Sequence, residues 1–224
     1  MDSIKLPEKL GSIEFKAILP PYIEDELITV VNKMCDFGVY EIQPGMTKTT
    51  IIFLHGHIVI KFPNQGIYVP NVNTNFQEDI PTDLTYLELK EDYCQKEYSF
   101  WINEVPSDLQ GIFLRTYQLM GFPPNDITFY VQQKAEVLPE NPPDATLPQR
   151  ILDILTFDIS HYWLSKVIER YGGRIAIKLI EFLKEHKDIV SDLSNDNLGF
   201  LHGEPVIIDY AGLYDYKNYP QPPI

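Results

Sequence analysis

Apolar residues along the chain recur with two periods, and each period marks a different kind of element. Ile23, Leu27, Val30, Val31 and Met34 fall at helical spacing and predict an amphipathic helix that stops near Gly38. The pattern then changes. Val39-Tyr40-Glu41-Ile42, Thr49-Thr50-Ile51-Ile52-Phe53-Leu54 and Ile58-Val59-Ile60-Lys61-Phe62 are short runs of β-branched and aromatic side chains, the types that suit a pleated surface. Pro44-Gly45 and His55-Gly56-His57 separate them with turn chemistry, so the three runs predict an antiparallel meander that Pro63 ends.

Residues 63–82, rich in Pro, Asn and Gly, predict a long surface loop. Leu84, Leu87, Cys94, Tyr98, Trp101 and Val105 then share a stripe that predicts a helix from Asp83 to Val105, with Glu91 and Glu97 flanking it. Residues 111–119 and 127–137 alternate as strands across a Gly-Phe-Pro-Pro-Asn-Asp turn, which brings the expected sheet to about five strands. Leu138-Pro139-Glu140-Asn141-Pro142-Pro143-Asp144 is the sharpest composition shift in the chain and predicts a stiff, extended linker. Beyond it, residues 151–171 and 174–186 have helical periodicity and are separated by Gly172-Gly173. Leu198–Leu201 and Pro205–Ile208 flank His202-Gly203-Glu204 as a second hairpin, which delivers Asp209 at its end.

The expected class is therefore α+β. The expected organisation is an N-terminal extension with a helix (1–37), a mostly β lobe (38–137), a Pro-rich linker (138–148) and a short helical lobe (149–224).

Composition narrows the chemistry. A chain of 224 residues that is 44% hydrophobic can bury a substantial core. Its net charge of −14, from 32 acidic and 18 basic side chains, opposes the phosphate attraction on which nucleic-acid affinity rests, so nucleic acid is not an expected partner. An acidic decoy for a nucleic-acid-binding protein would need the carboxylates gathered in one stripe, whereas they are spread along the chain. Cys35 and Cys94, with no Cys-x-x-Cys and no zinc-like spacing, indicate neither a disulfide framework nor a structural metal, and a reducing cytoplasm is the expected setting. The N-terminus has no signal-like apolar run, and no stretch reaches membrane-spanning length, so no membrane partner is expected.

Two acidic motifs remain to be explained. Asp192-Leu193-Ser194-Asn195-Asp196-Asn197 follows the last helix, and twelve positions after Asn197 comes Asp209-Tyr210-Ala211-Gly212 at a strand end. Each alone is ordinary turn chemistry. Together with Ile58-Val59-Ile60-Lys61 on a strand and Glu97 on the following helix, they resemble the active-site motifs of the protein-kinase-like superfamily. The style is that of aminoglycoside-kinase-like and short phage or bacterial kinase-like proteins.

That resemblance implies a two-lobed fold with a mostly β N-lobe and a truncated helical C-lobe, using ATP and Mg²⁺. Asp192 would orient or deprotonate the acceptor hydroxyl, and Asn197 and Asp209 would bind Mg²⁺. Lys61 would meet the nucleotide phosphates, with Glu97 as its partner and Glu91 as the rival for that role. Gly45 falls in the place of the phosphate-covering loop, where one glycine remains, and Gln133, Lys134 and Ala135 fall where the family bonds adenine.

The sequence also departs from the pattern. Val190-Ser191 replaces the usual His-Arg, one residue is inserted before Gly212, and 15 residues follow Asp209, leaving no counterpart for an activation segment. The expected function is phosphoryl transfer to a protein hydroxyl or a small molecule. The alternative is a catalytically weak or inactive pseudokinase that binds and modulates a partner protein, and a lesser alternative is an acidic DNA-mimic decoy. Signatures of serine hydrolases, zinc proteases, dinucleotide-binding folds and P-loops are missing from the sequence.

Overall fold

The computed structural model describes residues 16–18, 40–45, 47–53, 58–64, 66–70, 84–89, 91–122, 127–190 and 192–211. The chain mixes α and β and divides into two compact units, Met1–Gln95 with Tyr117–Gln132, and Lys96–Thr116 with Gln133–Ile224. The expected helix over 23–38 and the two histidines of the first hairpin turn lie outside the described residues.

The first unit holds two antiparallel sheets. In the smaller, β1 (Lys16–Ile18) pairs with β5 (Gly66–Pro70), which pairs with β6 (Leu84–Glu88). The larger has five strands in the order β2-β3-β4-β8-β7, built from β2 (Tyr40–Pro44), β3 (Lys48–Phe53), β4 (Ile58–Pro63), β7 (Tyr117–Phe122) and β8 (Ile127–Gln133). The β-branched runs read from the sequence are its first three strands, with Thr50 opposite Lys61 and Ile51 opposite Ile60.

Two expectations fail here for one reason. The loop expected over 63–82 contains β5, and the helix expected from Asp83 begins as β6. Their pairing joins segments far apart in sequence, and such partners override the local pattern. The helix, α1 (Tyr93–Asn103), starts ten residues later than expected, where Asp92 Oδ1 accepts the Gln95 N–H at 2.8 Å as an N-cap. The Tyr130 hydroxyl on β8 anchors that start by donating to Asp92 Oδ2 (3.1 Å) and Gln95 Oε1 (2.9 Å). Burial, then the Asp92 charge, pushes the Tyr130 phenol well above its ordinary pKa, so it stays a donor.

The second unit is organised around apolar helices. The expected helix over 151–171 is divided into α2 (Gln149–Leu152) and α3 (His161–Tyr171), and Ser160 caps the latter by accepting the Trp163 N–H. Gly172, at φ 85°, ends α3 and opens α4 (Gly173–Glu185). Trp163, Leu164 and Val167 of α3 and Ala176, Leu179, Ile180 and Leu183 of α4 are buried together, as their 3-and-4 spacing requires.

Against them lies a three-stranded sheet, β11-β10-β9, of β9 (Glu136–Val137), β10 (Leu198–Leu201) and β11 (Glu204–Ile207). Its hairpin turns through His202 and Gly203, both at positive φ, in the two-residue geometry that matches strand twist, so Glu204 belongs to the strand and not to the turn. Gly199 lets β9 approach, because a Cβ there would lie 2.2 Å from the Glu136 carbonyl oxygen. The strand expected over 111–119 begins only at Tyr117. Before it, Ile112–Leu114 runs beside β11, with a parallel bridge between Phe113 and Ile207.

Candidate functional site

The β10–β11 hairpin decides where the motif residues go. Leu198 pairs with Ile207, and one step outward the Ile208 N–H donates to the Asn197 carbonyl at 2.7 Å. Asn197 and Asp209 are thereby brought to the same open end of one hairpin. Asn197 sits in a short 3₁₀ turn, Asn195–Asn197, and its Nδ2 donates to the Asp192 carbonyl (3.1 Å) and to Ser194 Oγ (3.5 Å). With the amide nitrogen so directed, the side-chain oxygen is presented on the opposite side. Asp192 is exposed between buried Val190 and Leu193, which fasten the loop to the core. One of its carboxylate oxygens accepts the Ser194 N–H at 3.1 Å, and a carboxylate has acceptor capacity beyond one bond. Three of the residues picked out in the sequence thus form one connected loop-and-hairpin unit.

Asp192 also borders a cavity of about 890 Å³, within the range of small-molecule sites. Its wall combines the Pro142-Pro143 stretch of the linker, Phe157 and Tyr162 around the start of α3, Leu183 and Lys187 at the end of α4, and the loop from Asp192 to Asn195. Asp144 and Asp158 add two more carboxylates, set against the cations of Lys187 and, when protonated, His161.

Glu97 belongs to the same unit and is fully buried on α1. A buried carboxylate is costly unless it is hydrogen-bonded, and the Thr116 hydroxyl donates to its Oε1. Two residues before Thr116, the Leu114 carbonyl accepts from the phenol of Tyr210, which follows Asp209, at 2.9 Å. Tyr210 is buried and packs edge-on to Phe113, with ring centroids 5.3 Å apart. Burial, then the charges of Glu97 and Asp209, raises its pKa well above the ordinary tyrosine value. Thr116 and Tyr210 did not stand out in the sequence. Tyr210 lay inside the Asp209 motif, but nothing local could reveal its partners.

Lys61 and Gly45 fall in the first unit, whereas Gln133, Lys134 and Ala135, expected on the adenine side, fall in the second. Lys61 lies on β4 with its side chain almost entirely buried, at 3% exposure; an edge-strand solubility lysine would be solvated. Gly45 opens the β2–β3 turn. Its N–H donates to the Lys48 carbonyl at 2.8 Å, and a Cβ would lie 2.7 Å from that oxygen, so the turn itself explains the glycine. Buried Asn64 holds the turn from below, donating to the Gly45 carbonyl (2.7 Å) and accepting from Thr49 Oγ1 (2.8 Å). Of the residues expected to meet adenine, Gln133 ends β8, and Lys134 and Ala135 form the break before β9. Glu91, the rival to Glu97, is exposed ahead of α1.

Among the described residues, no group of three or more His, Cys, Asp or Glu side chains is placed to hold a metal ion, and no helix is long and apolar enough to cross a membrane. No protein-family model, curated protein or solved structure matches the chain.

Proposed function

We propose that the chain is an ATP- and Mg²⁺-dependent phosphotransferase with a two-lobed, protein-kinase-like organisation. The observation that carries this reading is the hairpin register that brings Asn197 and Asp209 to one end, with Asn197 bonded to the backbone of Asp192. An amide oxygen and a carboxylate are the hard donors that Mg²⁺ takes, and the ion would neutralise phosphate charge. Asp192 orients the acceptor hydroxyl and accepts its proton as the terminal phosphoryl group is transferred from ATP to the acceptor oxygen. Lys61 supplies the cation for the phosphates, and Glu97 the carboxylate that the resemblance pairs with it. The cavity beside Asp192 favours a small acceptor, and its excess of carboxylates favours one that carries positive charge.

ATP with Mg²⁺ should raise the melting temperature of the wild-type protein, with a stabilisation of about 2.7 kcal/mol once nucleotide reaches a hundred times its Kd. Asp209→Ala should abolish that shift, and Lys61→Met should reduce it without unfolding the protein. No shift at millimolar nucleotide would overturn the proposal. One observation favours the pseudokinase reading: the Gly45 N–H, the natural phosphate donor of the turn, is already given to Lys48. Nucleotide binding with no transfer of labelled phosphate to a panel of cationic alcohols or to protein would decide for it.

A further inference from the structure

The segment Ile112–Thr116 joins two parts of the second unit that sequence separates by about a hundred residues. On one side it is bonded to the strand that delivers Asp209: Ile207 N–H donates to Ile112 O at 2.7 Å, and Leu114 N–H donates to Ile207 O at 2.9 Å. On the other it holds α1, where Trp101 Nε1 donates to Phe113 O at 3.1 Å and the Thr116 hydroxyl donates to Glu97. The Tyr210 phenol closes the link by donating to Leu114 O, two residues before Thr116.

Resting on the phosphotransferase reading, we infer that Tyr210 is a positioning residue, whose buried hydroxyl fixes the adjacent Asp209 for metal binding and couples it to Glu97 through the Leu114–Thr116 segment. A phenylalanine at this position would fill the same aromatic pocket between Phe100 and Phe113 but could not hold the Leu114 carbonyl. The ring therefore supplies packing, and the hydroxyl supplies direction to the backbone one residue away from the metal ligand.

The test compares the full-length wild type with Tyr210→Phe and Thr116→Val. Tyr210→Phe is expected to raise the Mg²⁺ concentration that half-saturates the ATP-dependent thermal shift about tenfold, the equivalent of about 1.4 kcal/mol. ATP affinity at saturating Mg²⁺ should change less than about twofold. Thr116→Val, which keeps the bond to Leu114, should move the metal requirement in the same direction by a smaller factor. Amide hydrogen exchange gives a reading that needs no nucleotide: Tyr210→Phe should speed exchange over 207–211 and over 97–101 together, leaving α3 and α4 protected.

Unchanged metal requirement in both variants would overturn the inference and reduce Tyr210 to a packing residue. If Tyr210→Phe fails to fold, a wild-type metal requirement in Thr116→Val would overturn the coupling. If the wild type itself shows no Mg²⁺-ATP shift, the phosphotransferase reading fails; exchange that rises over 207–211 alone would then remove the link to Glu97 as well.

Discussion

The two units bury different things. In the second, the interior is a continuous apolar cluster from α1 through α3, α4 and the hairpin, and its buried polar side chains among the described residues are Glu97 and Thr116. In the first, the five-stranded sheet and its turns bury Lys48, Lys61, Thr47, Thr49, Asn64 and Gln132. Burying polar groups costs stability unless each is satisfied, and hydrophobic residues of similar shape are often the more stable choice. The polar interior of the first unit is thus a poor way to stabilise a sheet and a good way to hold a turn and a cation in place. The second unit concentrates its polar interior in one network, beside the residues proposed to bind metal.

The sharpest way to break this contrast is Trp163→Ala. Trp163 is fully buried and its indole N–H donates to the Gly199 carbonyl at 3.1 Å. Its loss should cost about 3–5 kcal/mol in denaturant unfolding, the usual range for removing a large aromatic side chain from a core. Asn64→Ala tests the other unit. It leaves the Gly45 carbonyl and the Thr49 hydroxyl without the bonds Asn64 makes, and should cost about 1–3 kcal/mol, since the Thr49 hydroxyl is buried and the Gly45 carbonyl partly so. If Asn64→Ala were as mild as a surface change, the polar interior of the first unit would not be holding its turn.

The smallest effect belongs to the exposed pair between Lys178 and Asp108, at 2.7 Å. The hydrogen bond from Lys178 holds the Asp108 carboxyl below its ordinary pKa. A lowered carboxylate pKa contributes stability above the unfolded-state value and loses it as pH falls through the folded value. Lys178→Ala should therefore lower the melting temperature slightly at neutral pH and not at all in acid below that range. Raised salt should shrink the difference. A thermal melt series across pH reads both.

Much of this was legible locally. The β-branched runs marked β2, β3 and β4; Gly172 marked the boundary between α3 and α4; and His202-Gly203 marked the hairpin that positions Asp209. The start of α1 was also written locally, in Asp92-Tyr93-Cys94-Gln95, an acceptor followed three residues later by Gln, but the leucines at 84 and 87 imitated a helical stripe and hid it. β5 and β6 were not legible, because a strand is completed by a partner that the local sequence does not name.

The candidate site divides in the same way. Asp192, Asn197 and Asp209 were visible because turn and hairpin chemistry acts over a few residues, and their spacing alone fixed the order in which they appear. That Asn197 stands opposite Ile208, that Gly45 serves its own turn, and that Glu97, Thr116 and Tyr210 share one buried network were decided by tertiary structure. Hydrogen bonds among segments near 97, 115 and 210 form only when burial has removed water as the competing partner, and a linear pattern carries no trace of that competition.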